Sequence, residues 1–436
     1  MSGLLRGQLS NAQACIVAAR RRAAMVWETT RNAVKTAMMR SSRCKPTVSE
    51  HCGWASGALV AFCVAAWPAA AASAESEPSS NALGFEVGYD NGFFIRAAEA
   101  PYSLYIGSRL QARFAYLLQE DAPDQSAFVI PRARLILGGK LFTHDLHYAF
   151  QMGFGDGPPR LVNYWIDYRF VPQWLYLRVG TMLKPFNRQA MSTSAALHFN
   201  ERAFFTGAFG DIRDTGLMLH NHIRSSPQFA YALGVFNGGA GSRQSLLVPG
   251  RDLAAGQQLS EVISYAPSKL RPRLIARFGY NHGDVRGYRE PDIQGGPLRF
   301  GVAVNGFFDF DADGDNESVM AGLVDAIVKV HGASLLALAY VSSRQDGPEL
   351  SERTFDQWGV LGQAGYVIAE RVEPVVRYAR QRDAFNDGVE HEILGGLNIY
   401  FTGDHLKWQT GAGILIDSAD GGTTNALLRT QVQLDF

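Results

Sequence analysis

Arginine side chains recur at alternate positions in two neighbouring segments of the sequence. Arg109 and Arg113 occupy odd positions of the first segment, and Arg132 and Arg134 occupy even positions of the second. If both segments are β-strands, each pair lies on one face, and adjacent strands are only about 5 Å apart. A guanidinium group presents paired donors that match the oxygens of a phosphate. The pattern therefore predicts a basic surface that attracts anions.

The elements that must position these arginines are strands, because apolar and polar residues alternate from Tyr102 to Phe436. The alternating segments are about ten residues long and are separated by clusters of Gly, Asp, Asn, Pro and Ser. Strands of about 9–11 residues suit a tilted crossing of a bilayer, and closure into a barrel removes the unpaired edges that lipid cannot satisfy. The predicted fold class is all-β: a membrane-spanning antiparallel β-barrel over residues 102–436.

The alternation predicts about seventeen strands, including residues 259–267 and 298–310. A single-chain bacterial barrel has an even number of strands, because both termini lie on the same side of the membrane. Residues 298–310 are the weakest candidate, since they lie between two loop-like stretches. We assign them to a long external loop over about 283–317, which leaves about sixteen strands.

The N-terminal part of the sequence has the layout of an export signal. An apolar run ends in Ala72-Ser73-Ala74, the small residues that signal peptidase requires. We assign residues 39–74 to a cleaved signal peptide and residues 1–38 to a doubtful N-terminal extension. A transmembrane anchor is the alternative, but Pro68 shortens the apolar run below the ~20 residues that a spanning helix needs.

The mature chain then begins with a periplasmic N-terminal segment, residues 75–101, and ends with the barrel. Its last strand alternates up to Phe436. A final aromatic residue that closes an alternating strand resembles the signal by which bacterial outer-membrane barrels are recognised for insertion. We therefore expect the protein to lie in the bacterial outer membrane, in contact with its lipid and lipopolysaccharide.

Composition and motifs argue against other classes of function. The chain has 41 Lys and Arg against 41 Asp and Glu, so it lacks the basic surplus of a nucleic-acid binder. Asp309, Asp311 and Asp313 imitate the start of a calcium loop, but Met320 occupies the position of the bidentate glutamate. We predict no metal and no cofactor. We also predict no catalytic residue, because no G-x-S-x-G nucleophile motif is present. The four cysteines all precede the mature chain, which excludes disulfides and thiolate metal sites from it: Cys15, Cys44, Cys52 and Cys63.

Five stretches of the sequence resemble the phosphate-selective porin family, known as porins O and P. They are GYDNGFFI at 88–95, GSRLQARF at 107–114, PRARLILGG at 131–139, GTMLKPFN at 180–187 and RDTGLML at 213–219. The resemblance implies a homotrimer of sixteen-stranded channels. It also implies that the loop after the fifth strand, here about Pro185 to Asp214, folds into the lumen and narrows it.

Strand parity and this loop together define the expected pore-lining, anion-binding residues. Glu201 lies in the same loop and is able to neutralise one of their charges. An internal network of ion pairs that stiffens the barrel wall is the alternative role for each arginine. The expected residues are Arg109, Arg113, Arg132, Arg134, Arg178, Lys184, Arg188, Arg202 and Arg213.

The expected function is passive diffusion of small solutes through a water-filled, anion-selective porin, with phosphate or related inorganic or organic anions as partners. The mature chain has few lysines, whereas the phosphate channels of the family line their pore with lysine ladders, so a general or weakly anion-selective porin is equally compatible. The alternatives are a lipase-like barrel enzyme and a receptor or adhesin barrel.

Overall fold

The computed structural model describes residues 79–80, 84–155, 159–207, 212–238, 271–285, 287–310, 318–345, 354–382, 388–418 and 422–436. The signal peptide and N-terminal extension expected from the sequence lie outside these residues, as does the candidate strand 259–267. Among the helices in the described ranges, none has the length and apolar character needed to cross a bilayer.

Three short strands precede the main sheet: β1 (Ser79–Ser80), β2 (Phe85–Tyr89) and β3 (Phe93–Ala97). The main strands are β4 (Ser103–Leu118), β5 (Gln125–Lys140), β6 (Leu146–Gly153), β7 (Arg160–Val171), β8 (Leu175–Leu183), β9 (Arg213–His220), β10 (Phe229–Phe236), β11 (Arg273–His282), β12 (Arg299–Asp309), β13 (Ser318–Val330), β14 (Ala333–Gln345), β15 (Thr354–Tyr366), β16 (Val372–Arg382), β17 (Val389–Thr402), β18 (Leu406–Asp417) and β19 (Thr423–Asp435). Helical structure in the described residues is limited to α1 (Arg188–Met191) and the 3₁₀ turns Phe204–Gly207 and Ile223–Ser225.

Sixteen antiparallel strands close into a barrel. Each strand from β4 to β18 pairs with the next one along the chain, and β19 pairs with β4. At the seam, the amide of Phe436 donates to the carbonyl of Ser108 over 2.9 Å. The β2–β3 hairpin continues the sheet beside the first residues of β4, where β19 has ended. The predicted sixteen-stranded barrel is confirmed.

The assignment of residues 298–310 to an external loop is wrong. Arg299–Asp309 forms β12, which pairs along its whole length with β11 and β13. Its alternation is weak because several inward side chains are small or apolar, and one of them, Phe307, packs against Phe186 with ring centroids 4.8 Å apart. The ring closes without residues 259–267, since β10 pairs directly with β11.

The two faces of the wall have the expected polarity. Outward positions carry apolar side chains that are exposed, such as Val304 and Val376 at 62% and 61%. Inward positions carry polar side chains that are buried, such as Gln111 and Gln433. The register shifts once between β4 and β5, after Gln111 pairs with Arg132. Pro131 lies at this bulge, where a residue without an amide proton is tolerated.

Two chain segments enter the barrel from opposite ends. We call residues 184–207 the constriction loop; it follows β8, the fifth barrel strand, and nearly all of it is buried. We call the described residues 283–285 and 287–298 the inner turn; they lie between β11 and β12 at the end where β4 begins and β19 ends. The core lies between these segments and the wall of β9–β16 and includes Phe186, Met191, Phe205, Tyr288 and Leu336.

Candidate functional site

A buried carboxylate on the wall holds the first half of the constriction loop. Asp325 of β13 accepts from Arg188 of α1 over 2.8 Å and from Arg277 of β11 over 2.7 Å. The side chains of Asp325, Arg277 and Arg188 are 0%, 1% and 4% exposed. Asn187 caps α1 by accepting from the amide of Gln189 over 2.8 Å. These contacts fix the start of the loop against the barrel wall.

Amide side chains of the wall hold the second half of the loop by its backbone. Gln409 donates to the carbonyl of Leu197 over 3.1 Å, and Asn398 donates to the carbonyl of His198 over 2.9 Å. Gln433 and Gln111 do the same for Ala195 and Ser194, both over 3.0 Å. A loop has no partners of its own for these carbonyls, so the inward amides satisfy polar groups that would otherwise be buried without a hydrogen bond.

His198 of the constriction loop lies at the centre of a fully buried polar cluster between the loop and the wall. Its Nδ1 is 2.9 Å from Oε1 of Glu373, and its Nε2 is 3.1 Å from Oγ of Ser334. The other oxygen of Glu373 accepts from Asn398 over 2.7 Å and from Tyr400 over 2.6 Å. The cluster therefore ties the loop to β14, β16 and β17.

The inner turn is joined to the constriction loop by Glu290. Its Oε2 accepts from the amide of His198 over 2.9 Å and from Gln363 of β15 over 2.7 Å. Its amide donates to the carbonyl of Ala196 over 3.0 Å. The two segments that enter the barrel thus contact each other as well as the wall.

Glu201 joins the constriction loop to the basic wall of β4 and β5. Its carboxylate pairs with Arg113 over 2.8 Å and with Arg132 over 2.7 Å. Burial raises the pKa of Glu201, but the charges and hydrogen bonds of Arg132 and Arg113 outweigh it and lower the pKa to about 2. Glu201 is therefore ionised at neutral pH and neutralises one positive charge at this point.

A cavity of about 470 Å³ separates the constriction loop from the wall of β4–β9. Within the described part of the chain, six arginines and no carboxylate line it: Arg109, Arg134, Arg178, Arg202, Arg213 and Arg224. Behind the lining, Arg109 pairs with Asp435 over 2.7 Å and Arg178 pairs with Asp167 over 2.6 Å. Arg202 donates to backbone carbonyls, including that of Ser192 over 2.6 Å. Burial and the nearby Arg132 lower the pKa of Arg202 to about 10, so it is a cation at neutral pH.

A second cavity of about 840 Å³ opens at the end of the barrel where β4 begins and β19 ends. It is lined partly by the inner turn and partly by wall residues, and it carries both signs of charge, including Lys329 and Asp404. Arg109, Thr193 and Arg224 line both cavities. The two spaces are therefore neighbours along one side of the lumen.

Five of the nine expected pore-lining residues lie on the first cavity: Arg109, Arg134, Arg178, Arg202 and Arg213. Arg113 and Arg132 face the lumen through their bridge to Glu201. Lys184 and Arg188 are buried in the packing of the constriction loop and do not line either cavity. Anion binding by these nine residues stays a prediction.

Three basic lining residues were not expected from the sequence: His220, His222 and Arg224. His220 is the last residue of β9 and bonds to Asp167 over 3.2 Å, while His222 and Arg224 follow in the turn to β10. The alternation of His220 with His222 was the available signal, because it continues the inward face of β9 beyond the end of the strand.

The family described as phosphate-selective porin O and P matches residues 105–296, which cover β4 to β11, the constriction loop and most of the inner turn. Over these residues the chain is similar to that family. Among solved structures, the anion-selective porin from Comamonas acidovorans is 11% identical with a TM-score of 0.50, and 76% of this chain and 99% of that chain are covered. The outer membrane channel DcaP of Acinetobacter baumannii is 12% identical with a TM-score of 0.50, at coverages of 76% and 97%. A search of curated proteins finds no match.

The two structural likenesses confirm the barrel fold, and the family match supports the expected outer-membrane channel. Its expected constriction loop is confirmed as well, since residues 184–207 fold inward directly after the fifth barrel strand. The barrel differs from the expectation in how its arginines are used. On the β11–β16 side, Arg277 and Arg377 fasten the inserted segments. On the β4–β9 side, Arg113 and Arg132 hold Glu201 of the constriction loop, whereas other arginines line open space: Arg109, Arg134, Arg178 and Arg213.

Proposed function

We propose that this porin is an anion-selective channel for passive diffusion of small solutes across the outer membrane. The observation that carries the proposal is the cavity beside the constriction loop, with six arginines in its lining and no described carboxylate. Cations held between low-dielectric walls focus a positive potential and raise the local concentration of anions. The phosphate selectivity of the matched family and the anion selectivity of the Comamonas porin agree with this proposal.

The field in the lumen is positive although the chain is neutral, because paired charges lie on one side of the lumen and clustered arginines lie on the other. Carboxylates of the β11–β16 wall are paired with cations, such as Asp325 with Arg277 over 2.7 Å. On the other side, Arg134 lies among like charges: its strongest charged neighbours are Arg213, Arg109, Arg132 and Arg202. In the described part of the chain, no hydrogen bond or ion pair engages the guanidinium of Arg134.

The reversal potential of the purified porin in a planar bilayer under a potassium chloride gradient tests the proposal. A potential with the sign of chloride permeation is expected. A potential with the sign of potassium permeation contradicts it. The matched variants are Arg134→Gln, which removes a charge from the cavity, and Arg344→Gln, which removes an arginine from β14 outside both cavities. Only Arg134→Gln is expected to reduce the chloride preference.

One observation bears on the rival class, a barrel enzyme. Ser334, His198 and Glu373 have the spacing of a nucleophile, a base and an orienting acid. However, Ser334 is 3% exposed and His198 and Glu373 are 0% exposed, and none of the three lines either cavity. A substrate has no route to such a serine, so we assign the cluster to holding the loop. Labelling of Ser334 by a fluorophosphonate probe would contradict this assignment.

We also propose that the porin is exported through a cleaved signal peptide over residues 39–74, with residues 75–101 in the periplasm and barrels assembled as a homotrimer. The position of the β2–β3 hairpin beside the first residues of β4 supports the placement of residues 75–101. N-terminal sequencing of protein from outer membranes tests the cleavage site near Glu75. Sedimentation in detergent tests the trimer, and a monomeric mass contradicts it.

A further inference from the structure

The cavity beside the constriction loop has an apolar side as well as a basic one. Trp165 of β7, Ile136 of β5 and Met218 of β9 line it together with Met191 of the constriction loop. Inorganic phosphate gains nothing from such surface, whereas an organic anion buries apolar area against it. The lining therefore matches a ligand that is anionic at one end and apolar elsewhere.

The apolar and basic groups of the cavity alternate along the direction of the strands. Trp165 pairs in register with Gly180 of β8, two residues from Arg178. Leu183, three residues from Gly180 in the other direction, pairs with Arg213 of β9. The guanidinium of Arg178 lies 3.9 Å from the centroid of the Trp165 ring. An aromatic residue therefore lies between two levels of arginine, and one of those arginines stacks on it.

We infer that this cavity is a binding site for organic carboxylates, and for aromatic carboxylates in particular. The inference rests on the proposed anion-selective channel and deepens it. The carboxylate pairs with the guanidinium groups at the level of Arg178 or of Arg134 and Arg213. The ring of the ligand packs on Trp165, Ile136 and Met218. A solute that crosses the constriction therefore loses water from the side of its ring that contacts these residues and stays hydrated on the other side. Such a site slows the passage of a bound solute and selects it from smaller anions.

The test measures the chloride current of the reconstituted porin while benzoate, acetate or inorganic phosphate is added. Benzoate is expected to reach half-block at a concentration about tenfold or more below that of acetate, since a hydrophobic pocket discriminates apolar groups by about this factor. Trp165→Ala is expected to bring benzoate close to acetate and to leave acetate and phosphate unchanged. The control Trp408→Ala removes a tryptophan from β18 that does not line the cavity.

Three outcomes overturn the inference while the anion channel stands: phosphate blocks at lower concentrations than benzoate, benzoate and acetate block equally, or Trp165→Ala weakens every anion to the same extent. If Trp165→Ala does not fold, Ile136→Ser replaces it, because it removes apolar lining and leaves the stack of Arg178 on Trp165 in place. A potassium-selective current overturns the proposed function itself, and the two failures are thereby distinguished.

Discussion

Replacing Asp325 by asparagine should release the first half of the constriction loop. Asp325 is the shared acceptor of Arg188, which belongs to the loop, and Arg277, which belongs to the wall. With the carboxylate neutralised, two buried guanidinium groups face each other without a counter-charge. Removing one partner from a buried ion pair costs about 3–5 kcal/mol. Because Arg188 can leave the wall and Arg277 cannot, we expect the cost to fall on the seating of the loop.

A shift of about 3–5 kcal/mol changes the ratio of seated to unseated loop by about a hundredfold to a few thousandfold. The backbone contacts of the second half of the loop remain, so we expect frequent excursions and not permanent release. Single-channel recordings of Asp325→Asn should show a larger mean conductance and added open-channel noise. Heat-modifiable migration on gels checks that the barrel has folded.

Asp309→Asn is the matched control. Asp309 is also buried and also pairs with an arginine, Arg273, but both residues belong to the wall strands β11 and β12. If the loop is the element that responds, Asp309→Asn keeps the wild-type conductance. Equal conductance changes in both variants, or wild-type recordings of Asp325→Asn, would refute the role of Asp325 in seating the loop.

Three further predictions concern charge in the lumen. Replacing Arg109 and Arg132 together by glutamate should move the reversal potential towards cation selectivity, and an unchanged potential would mean that neither side chain contributes to the field. Burial and the positive charges of His220 and Arg178 lower the pKa of His222, so its imidazole is neutral at pH 7. The chloride preference should rise as acid protonates His222. The His222→Gln variant should lack this part of the rise. The pKa of Glu201 is about 2, below its ordinary value, so the stability that its ion pairs contribute is complete above about pH 4.5 and is lost only as the pH falls towards 2. When the conductance is titrated from pH 7 to 2, it should therefore change between about pH 4.5 and 2. A change near pH 6 that persists in Glu201→Gln would exclude Glu201 as its source.

The wall of the barrel could be predicted from the sequence because each residue of a strand meets one of two environments. Val376 and Arg377 follow each other in the chain, and the first is 61% exposed on the outer face while the second is 2% exposed inside. Strand β12 was missed because its inner face is not uniformly polar. Phe307 lies inward against Phe186, a contact between a strand and a loop that strand periodicity does not encode.

The partners of the inward charges could not be predicted in the same way. Parity places Arg109, Arg277 and Arg377 on the inner face, and all three lie there, but parity carries no information on which carboxylate each one meets. Asp325 and Glu290 determine much of the path of the inserted segments, and each looks like an ordinary polar residue in the sequence. The inner turn was expected on the other side of the barrel, because the error at β12 moved it into an external loop.

Whether an arginine is paired with a carboxylate depends on where the inserted segments lie. A charge covered by the constriction loop or the inner turn loses its water and needs a carboxylate, since an unpaired buried charge is strongly destabilising. Arg277, Arg377 and Arg188 are covered, and each has one. Arg134 lines the cavity on the other side of the lumen, is only partly buried, and has no carboxylate partner in the described part of the chain. The loop thus has two effects. It narrows the lumen, and its position determines on which side of the wall arginine charges are available to solutes.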